Sequence, residues 1–177
     1  MKKLFIIFSF LFVIIGCNDS GEISSEKEFL IINNCLNYIK EKSKRDCYLI
    51  NPKFYSFDIS EYSNSEDKYL KEYFKSKSKK QIQKIESDID KKYLSKYSQE
   101  LDDLSSCEES NNIIGFSGIS DEIVIVYQSY YHNKITKKQL QKGDDKQRPM
   151  EYQYFIFFID KMGDIKYVID EGSVIFG

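Results

Sequence analysis

The chain has 177 residues, of which 31% are charged and 41% are hydrophobic, and its 26 basic and 28 acidic side chains give a net charge of −2. This length suits one domain with a sizeable core, and the mixture of apolar and charged residues is typical of a folded chain. The lack of a basic excess argues against a nucleic-acid-binding protein.

The N-terminus has the three-part pattern of an export signal. Lys2 and Lys3 precede an apolar run over residues 4–15. This run is shorter than the roughly 20 residues that a membrane-spanning helix needs. It ends in Ile14-Ile15-Gly16-Cys17, which resembles the lipobox of bacterial lipoproteins.

That resemblance implies that Cys17 is acylated and that residues 1–16 are removed as a signal peptide. Two or more acyl chains hold a protein stably on a bilayer, since each buried methylene contributes about 0.8 kcal/mol. Residues 17–25 would then form a tether, and residues 26–177 a single domain. Asn18 stands where Asp would retain a lipoprotein of this class at the inner membrane, so in a Gram-negative organism the outer membrane facing the periplasm is favoured. An ordinary signal peptide or an uncleaved anchor is the alternative.

Helical periodicity dominates the chain up to about residue 106. Ser25 and Glu28 fit a capping box, and an apolar stripe that includes Ile32 and Leu36 predicts a core-facing helix to about Lys42. An extended segment is predicted over residues 53–59. Apolar residues at steps of three and four then predict a short helix and a long helix over residues 78–104. The long helix is expected to pack on the sheet, with a coiled-coil seam over residues 82–104 as the alternative.

Strand periodicity dominates from residue 111 onward. Residues 113–119 and 122–131 are predicted strands, and the second is expected to be central because both of its faces are apolar. Residues 151–159 and 165–175 predict a hairpin that is closed with Gly163 in the left-handed region. The expected fold is α+β, with N-terminal helices packed on one face of an antiparallel sheet formed mainly by the C-terminal third. In outline this is similar to the cystatin-like or NTF2-like arrangement.

Three cysteines remain besides Cys17, namely Cys35, Cys47 and Cys107. An export compartment permits a disulfide, and three thiols allow three single pairings. A bridge between Cys35 and Cys47 is favoured because the chain can double back after the first helix. Cys107 is the alternative partner, and three buried free thiols are the other alternative. No two of these cysteines lie closer than twelve residues apart, which argues against a zinc site, so no metal is expected.

Catalytic chemistry has little support in the sequence. The single histidine is His132, and Ser129 lies three residues before it, which on a strand places the two side chains on opposite faces. The pair Asp160 and Asp164 flanks the predicted hairpin turn, where turn chemistry accounts for it. No phosphate-binding loop, nucleophile elbow or calcium loop is present, so no cofactor is expected and a protein other than an enzyme is favoured.

The polar connection over residues 132–149 is the candidate partner-contact loop. Connections this long are often functional or disordered, and a short helix could lie in its middle. We hypothesise that it contacts a protein partner or an anionic envelope surface, and a plain mobile loop is the alternative. Its basic residues are Lys134, Lys137, Lys138, Lys142, Lys146 and Arg148, and its flanking aromatics are Tyr130, Tyr131 and Tyr152.

The expected function is therefore that of a lipid-anchored cell-envelope protein that binds a partner, such as an inhibitor, an immunity-like factor or an assembly accessory. A small-ligand carrier or an atypical enzyme with a pocket between helices and sheet is the alternative. A cavity with converging tyrosine hydroxyls would favour the alternative, and a filled core would favour the first class.

Overall fold

The computed structural model describes residues 26–55, 57, 67–90, 98–120, 122–143 and 147–175. The helices and strands in these ranges alternate irregularly along the chain. In order they are α1 Glu26–Ser43, β1 Leu49–Ile50, α2 Lys68–Ser76, α3 Lys79–Asp90, α4 Gln99–Asp103, β2 Glu109–Phe116, β3 Ile123–Thr136, α5 Lys137–Lys142, β4 Glu151–Ile159 and β5 Ile165–Ile175.

The five strands form one sheet in the order β1-β2-β3-β4-β5. The last four strands are joined by antiparallel pairs, whereas β1 runs parallel to β2, with Leu49 beside Ile113. The expected α+β class and the C-terminal origin of most of the sheet are confirmed. The sheet is mixed rather than purely antiparallel, because a short segment from the N-terminal half joins its edge.

Helices cover both faces of the sheet, where cover on a single face was expected. Ile32 and Leu36 of α1 pack in one cluster with Val124 and Phe155 of the strands. Residues of α2 and α3 pack in a second cluster with Ile125 and its neighbours. This division follows from β3 and β4, which are apolar on both faces and need cover on each. The central position predicted for β3 is confirmed.

The long helix predicted over residues 78–104 is wrong. The helix α3 ends at Asp90, and Ser98 has an extended backbone and caps the separate helix α4, accepting a hydrogen bond from Leu101 N at 3.3 Å. Ser98 N also donates to Pro52 O at 2.7 Å. Ile85 and Ile89 of α3 are buried against the sheet, as predicted, rather than along a coiled-coil seam.

The helix predicted to end near Lys42 is confirmed as α1, although Ser25 of its proposed capping box lies outside the described residues. The predicted extended segment is described as far as Tyr55, which forms a parallel bridge with Ser117, and most of its remainder lies outside the described residues. None of the helices in the described ranges is both long enough and apolar enough to cross a membrane.

The hairpin between β4 and β5 forms as predicted. Gly163 has a φ of 91°, and its N–H donates to Asp160 O at 3.0 Å. Asp160 Oδ1 accepts from Met162 N at 2.8 Å and from Asp164 N at 3.0 Å, so the carboxylate completes the turn. Asn34 of α1 donates from Nδ2 to Gly163 O at 3.2 Å, which places the first half of α1 beside this turn.

The disulfide joins Cys47 to Cys107, and the favoured pairing of Cys35 with Cys47 is wrong. Cys35 is buried on the face of α1 that packs against the sheet, where burial raises the pKa of its thiol. Cys47 comes just before β1, and β1 runs parallel to β2. Cys47 therefore lies beside the start of β2, close to the residues that lead into that strand. The Cα atoms of Cys47 and Cys107 are 5.7 Å apart, within the range that a disulfide spans.

Candidate ligand-binding site

On the second face of the sheet, α2 and α3 cover one part, and Leu140 of α5 packs in a further cluster with Tyr131 and Ile135 of β3. Side chains alternate along a strand, so Tyr127, Ser129 and Tyr131 of β3 share one face. Across the ladder Tyr127 pairs with Tyr154, and Ser129 pairs with Tyr152. The same face of β3 and β4 continues into the apolar part that α2 and α3 cover.

These residues line a pocket of about 500 Å³, which we call the tyrosine pocket. The extended segment next to β1 forms one wall, and the residues leading into β4 form the other. The full lining is Tyr55, Phe57, Tyr127, Ser129, Tyr131, Gln147, Arg148, Pro149, Tyr152 and Tyr154.

The aromatic rings of the pocket contact one another mainly edge to face. Tyr55 and Tyr127 have ring centroids 4.7 Å apart at an interplanar angle of 83°, and Phe57 and Tyr154 have centroids 5.9 Å apart at 87°. Tyr152 and Tyr154 are nearly parallel, with centroids 6.1 Å apart. Such geometries are the favourable ones for aromatic quadrupoles, so the ring contacts stabilise the walls of the pocket.

Gly115 makes this ring arrangement possible. It lies on β2 directly beside Tyr127, and a side chain at this position would collide with the end of the Tyr127 ring. The ring of Tyr127 thus lies over the backbone of β2, where it meets Tyr55. Tyr55 is fixed in turn because its N–H donates to Phe116 O at 2.8 Å and its hydroxyl accepts from the Asn51 side-chain amide.

The polar groups of the pocket differ in exposure and in charge. Ser129 is fully buried, and its hydroxyl has no hydrogen-bond partner among the described residues. Burial raises the pKa of Tyr154, so this phenol stays protonated at neutral pH. Arg148 is exposed at the rim and is the single charged residue in the described lining.

The predicted partner-contact loop is more ordered than expected. The strand β3 continues to Thr136, and α5 follows at once, with Thr136 and Gln139 forming a capping box and Gly143 ending the helix at a φ of 67°. The short helix that the sequence allowed is therefore confirmed. Lys146 and the two aspartates before it lie outside the described residues.

The basic residues of this segment do not act as one group. Lys134 pairs with Glu109 at 2.8 Å and Lys137 with the buried Asp102 at 3.5 Å, so two of the charges are neutralised locally. Lys138 and Lys142 are exposed on α5. Arg148 reaches the tyrosine pocket instead.

The flanking aromatics also separate. Tyr131 and Tyr152 line the tyrosine pocket, whereas Tyr130 points to the opposite face, where the Arg45 guanidinium lies 4.0 Å from its ring centroid. The sequence analysis missed Tyr55, Tyr127 and Tyr154 as pocket residues. The signal that could have found the last two is the placement of tyrosines on one face, four residues apart in β3 (Tyr127 and Tyr131) and two apart in β4 (Tyr152 and Tyr154).

His132 does not form a catalytic pair with Cys47 or Cys107. His132 is exposed at the surface, and Cys47 and Cys107 are bonded to each other, so neither thiol is available to it as a nucleophile. Across the described ranges no three His, Cys, Asp or Glu side chains come together as the ligands of a metal ion would. Comparison with models of protein families, with curated proteins and with solved structures gives no match for this chain.

Proposed function

We propose that this chain is a lipid-anchored cell-envelope protein that binds a ligand in the tyrosine pocket. The support for the anchor is the sequence Ile14-Ile15-Gly16-Cys17. The support for ligand binding is the pocket itself, in which tyrosines converge from three separate segments of the chain. A cavity of this kind favours a ligand-binding protein over one whose role depends only on its outer surface.

The size and lining of the pocket suit a small molecule or the end of a chain. Ligand pockets commonly measure about 300–1,000 Å³ and combine apolar walls with a few polar groups. Here the walls are aromatic rings, and the polar groups are the Ser129 hydroxyl, the tyrosine hydroxyls, the Gln147 amide and Arg148. The described lining contains no carboxylate, cysteine or histidine, which favours binding over general acid–base or nucleophilic catalysis.

Nuclear magnetic resonance of the full chain in detergent micelles, with ¹³C-labelled tyrosine rings, tests the pocket. A set of uncharged, anionic and cationic single-ring compounds is titrated in. Some members should shift the Tyr127, Tyr152 and Tyr154 signals, and Tyr152→Leu should weaken their binding. Tyr69→Leu is the control because Tyr69 is a tyrosine on α2 outside the pocket. If no compound shifts the pocket signals, the proposed ligand-binding function is wrong.

The anchor is tested separately in a bacterial host. The wild-type chain should partition with membranes and take up an alkyne-labelled fatty acid, whereas Cys17→Ser should do neither. A Cys17→Ser variant that stays membrane-bound, or a wild-type chain that is never acylated, would contradict the anchor without bearing on the pocket.

The exposed lysines of α5 favour a second candidate function, the contact of a protein partner. Lys138 and Lys142 have no acidic partner among the described residues, in contrast to Lys134 and Lys137. Replacing Lys138 and Lys142 with Ser should reduce recovery of a stoichiometric partner in a pull-down from cross-linked cells. The same replacements at Lys79 and Lys80, which are exposed on α3, provide the control.

A further inference from the structure

We infer that the tyrosine pocket takes a ring that carries a single carboxylate, with the carboxylate held by Arg148 and the ring placed among the tyrosines. This inference rests on the proposed ligand-binding function of the same pocket. It assigns a chemical class to the ligand from the charge, the hydrogen-bonding groups and the ring geometry of the lining.

The charge of the ligand follows from Arg148. This residue is the single ionised group in the described lining, and no carboxylate of the described residues pairs with it. A guanidinium presents parallel N–H donors that match the two oxygens of a carboxylate. Because the described lining offers one positive charge, it matches a ligand of charge −1 better than a doubly charged phosphate.

The orientation of the ligand follows from where Arg148 lies. Arg148 is at the exposed rim, whereas Ser129, Tyr127 and Tyr131 are buried in the floor. A charged group loses least hydration at the rim, and an apolar ring gains most by leaving water. The carboxylate therefore stays at the mouth, and the ring enters between the tyrosine walls, where edge-to-face and offset contacts are available.

The Ser129 hydroxyl, unpaired among the described residues, predicts a hydrogen-bonding group on the ligand. This hydroxyl is fully buried between Tyr127 and Tyr131, across the strand pair from Tyr152. A buried polar group without a partner costs about 1–3 kcal/mol. Because Ser129 is inaccessible to water, a ligand atom recovers this cost when the neighbouring rings shift and expose the hydroxyl. We therefore expect a polar atom close to the ring, as in an amino-acid derivative or in the last residue of a chain.

Isothermal titration calorimetry of the full chain in detergent micelles tests the inference with three probes. N-acetyl-phenylalanine has both the ring and the carboxylate, N-acetyl-phenylalaninamide lacks the charge, and N-acetyl-alanine lacks the ring. The acid should bind at least about tenfold more tightly than either of the others, the order expected for one charge-assisted hydrogen-bonded pair.

Variants connect this preference to the named residues. Arg148→Gln should reduce the ratio of the affinity for the acid to the affinity for the amide to about one. The affinity for the amide itself should stay unchanged. Lys142→Gln, which removes an exposed charge on α5 outside the pocket lining, should leave the ratio unchanged. Ser129→Ala should weaken the acid and the amide alike without lowering thermal stability, because the hydroxyl it removes has no partner among the described residues. A loss of stability in Ser129→Ala would assign this residue to the fold instead.

A fourth probe tests whether the ligand is a free small molecule or the end of a peptide chain. A tetrapeptide that ends in phenylalanine with a free carboxylate should bind as tightly as N-acetyl-phenylalanine if the ligand is a chain end, and more weakly if it is a free small molecule. Equal binding of acid and amide by the wild-type chain overturns the carboxylate assignment but leaves the proposed function intact. If neither these probes nor the uncharged, anionic and cationic rings bind, the proposed function fails together with this inference.

Discussion

The ring of Tyr127 occupies the space that a side chain at Gly115 would fill. The two residues face each other on adjacent strands, and the absence of a Cβ on one allows the other to lie flat across the sheet and reach Tyr55. The tyrosine pocket therefore depends on a glycine that does not line it.

Gly115→Ala should displace the Tyr127 ring and reshape the pocket. The added methyl overlaps the end of that ring, and overpacking of this kind costs about 1–3 kcal/mol. We expect a lower melting temperature, a changed chemical shift for the Tyr127 ring and weaker binding of ring probes. In a Tyr127→Ala background, Gly115→Ala should lower the melting temperature much less, since the ring with which the methyl clashes is then absent. An unchanged Tyr127 signal in the single variant would contradict this account.

Loss of the disulfide should destabilise the domain by about 4 kcal/mol in the chain-entropy model, because the bridge closes a loop with a sequence separation of 60. Urea unfolding should show this loss both for the Cys47→Ser, Cys107→Ser double variant and for the reduced wild-type chain. Peptide mapping under non-reducing conditions checks the pairing directly. A fragment that joins Cys35 to Cys47 would contradict the structure.

The carboxylate of Asp160 should make stability depend on pH at the acid end. The Lys166 ammonium and the backbone N–H groups of the turn lower the pKa of Asp160 from 3.8 to about 2. Since the folded pKa is the lower one, the contribution is present above about pH 4 and is lost as the pH falls towards 2. Asp160→Asn should therefore differ from the wild-type chain in urea unfolding at pH 6 and converge with it near pH 2. The difference at pH 6 should shrink in a Lys166→Gln background, where the ion pair is already absent.

Lys44→Gly should stabilise the C-terminal end of α1. Lys44 has a φ of 52°, in the left-handed region, where a side chain costs about 1–2 kcal/mol. The greater freedom of glycine in the unfolded chain offsets about 0.4–1 kcal/mol of that cost. We expect a net gain of roughly 0.5 kcal/mol and a small rise in melting temperature. Glu41→Gly, an exposed position inside the helix, should lower the melting temperature instead.

Local signals allowed the prediction of those elements whose interactions are local. The apolar stripe of α1 and the turn that contains Gly163 are both determined within a few residues, and both were found. The break at Ser98 was missed because Pro52, a residue far away in the chain, accepts the hydrogen bond from its backbone. The parallel edge strand and the Cys47–Cys107 bridge depend on the same long-range register, which periodicity does not report.

In the candidate site, too, the sequence predicted the residues with local signals and missed those that depend on long-range contacts. Arg148, Tyr131 and Tyr152 were singled out for their place in a long connection, and all three line the pocket. Tyr55 and Tyr127 were not grouped with them, because their contact requires a strand from the N-terminal half to pass beside Gly115. Alternation assigns a tyrosine to a face, but it does not predict which other segment will lie opposite.

The position of α1 beside the turn between β4 and β5 affects how the domain would be oriented towards a bilayer. If Cys17 carries an acyl chain, the nine residues before Glu26 would hold the start of α1 within about 30 Å of the lipid, on the side of the hairpin turn. Tyr152 lies seven residues back along β4 from Ile159, about 23 Å away at strand spacing. The tyrosine pocket would then lie farther along the sheet from the lipid tether than the hairpin turn does.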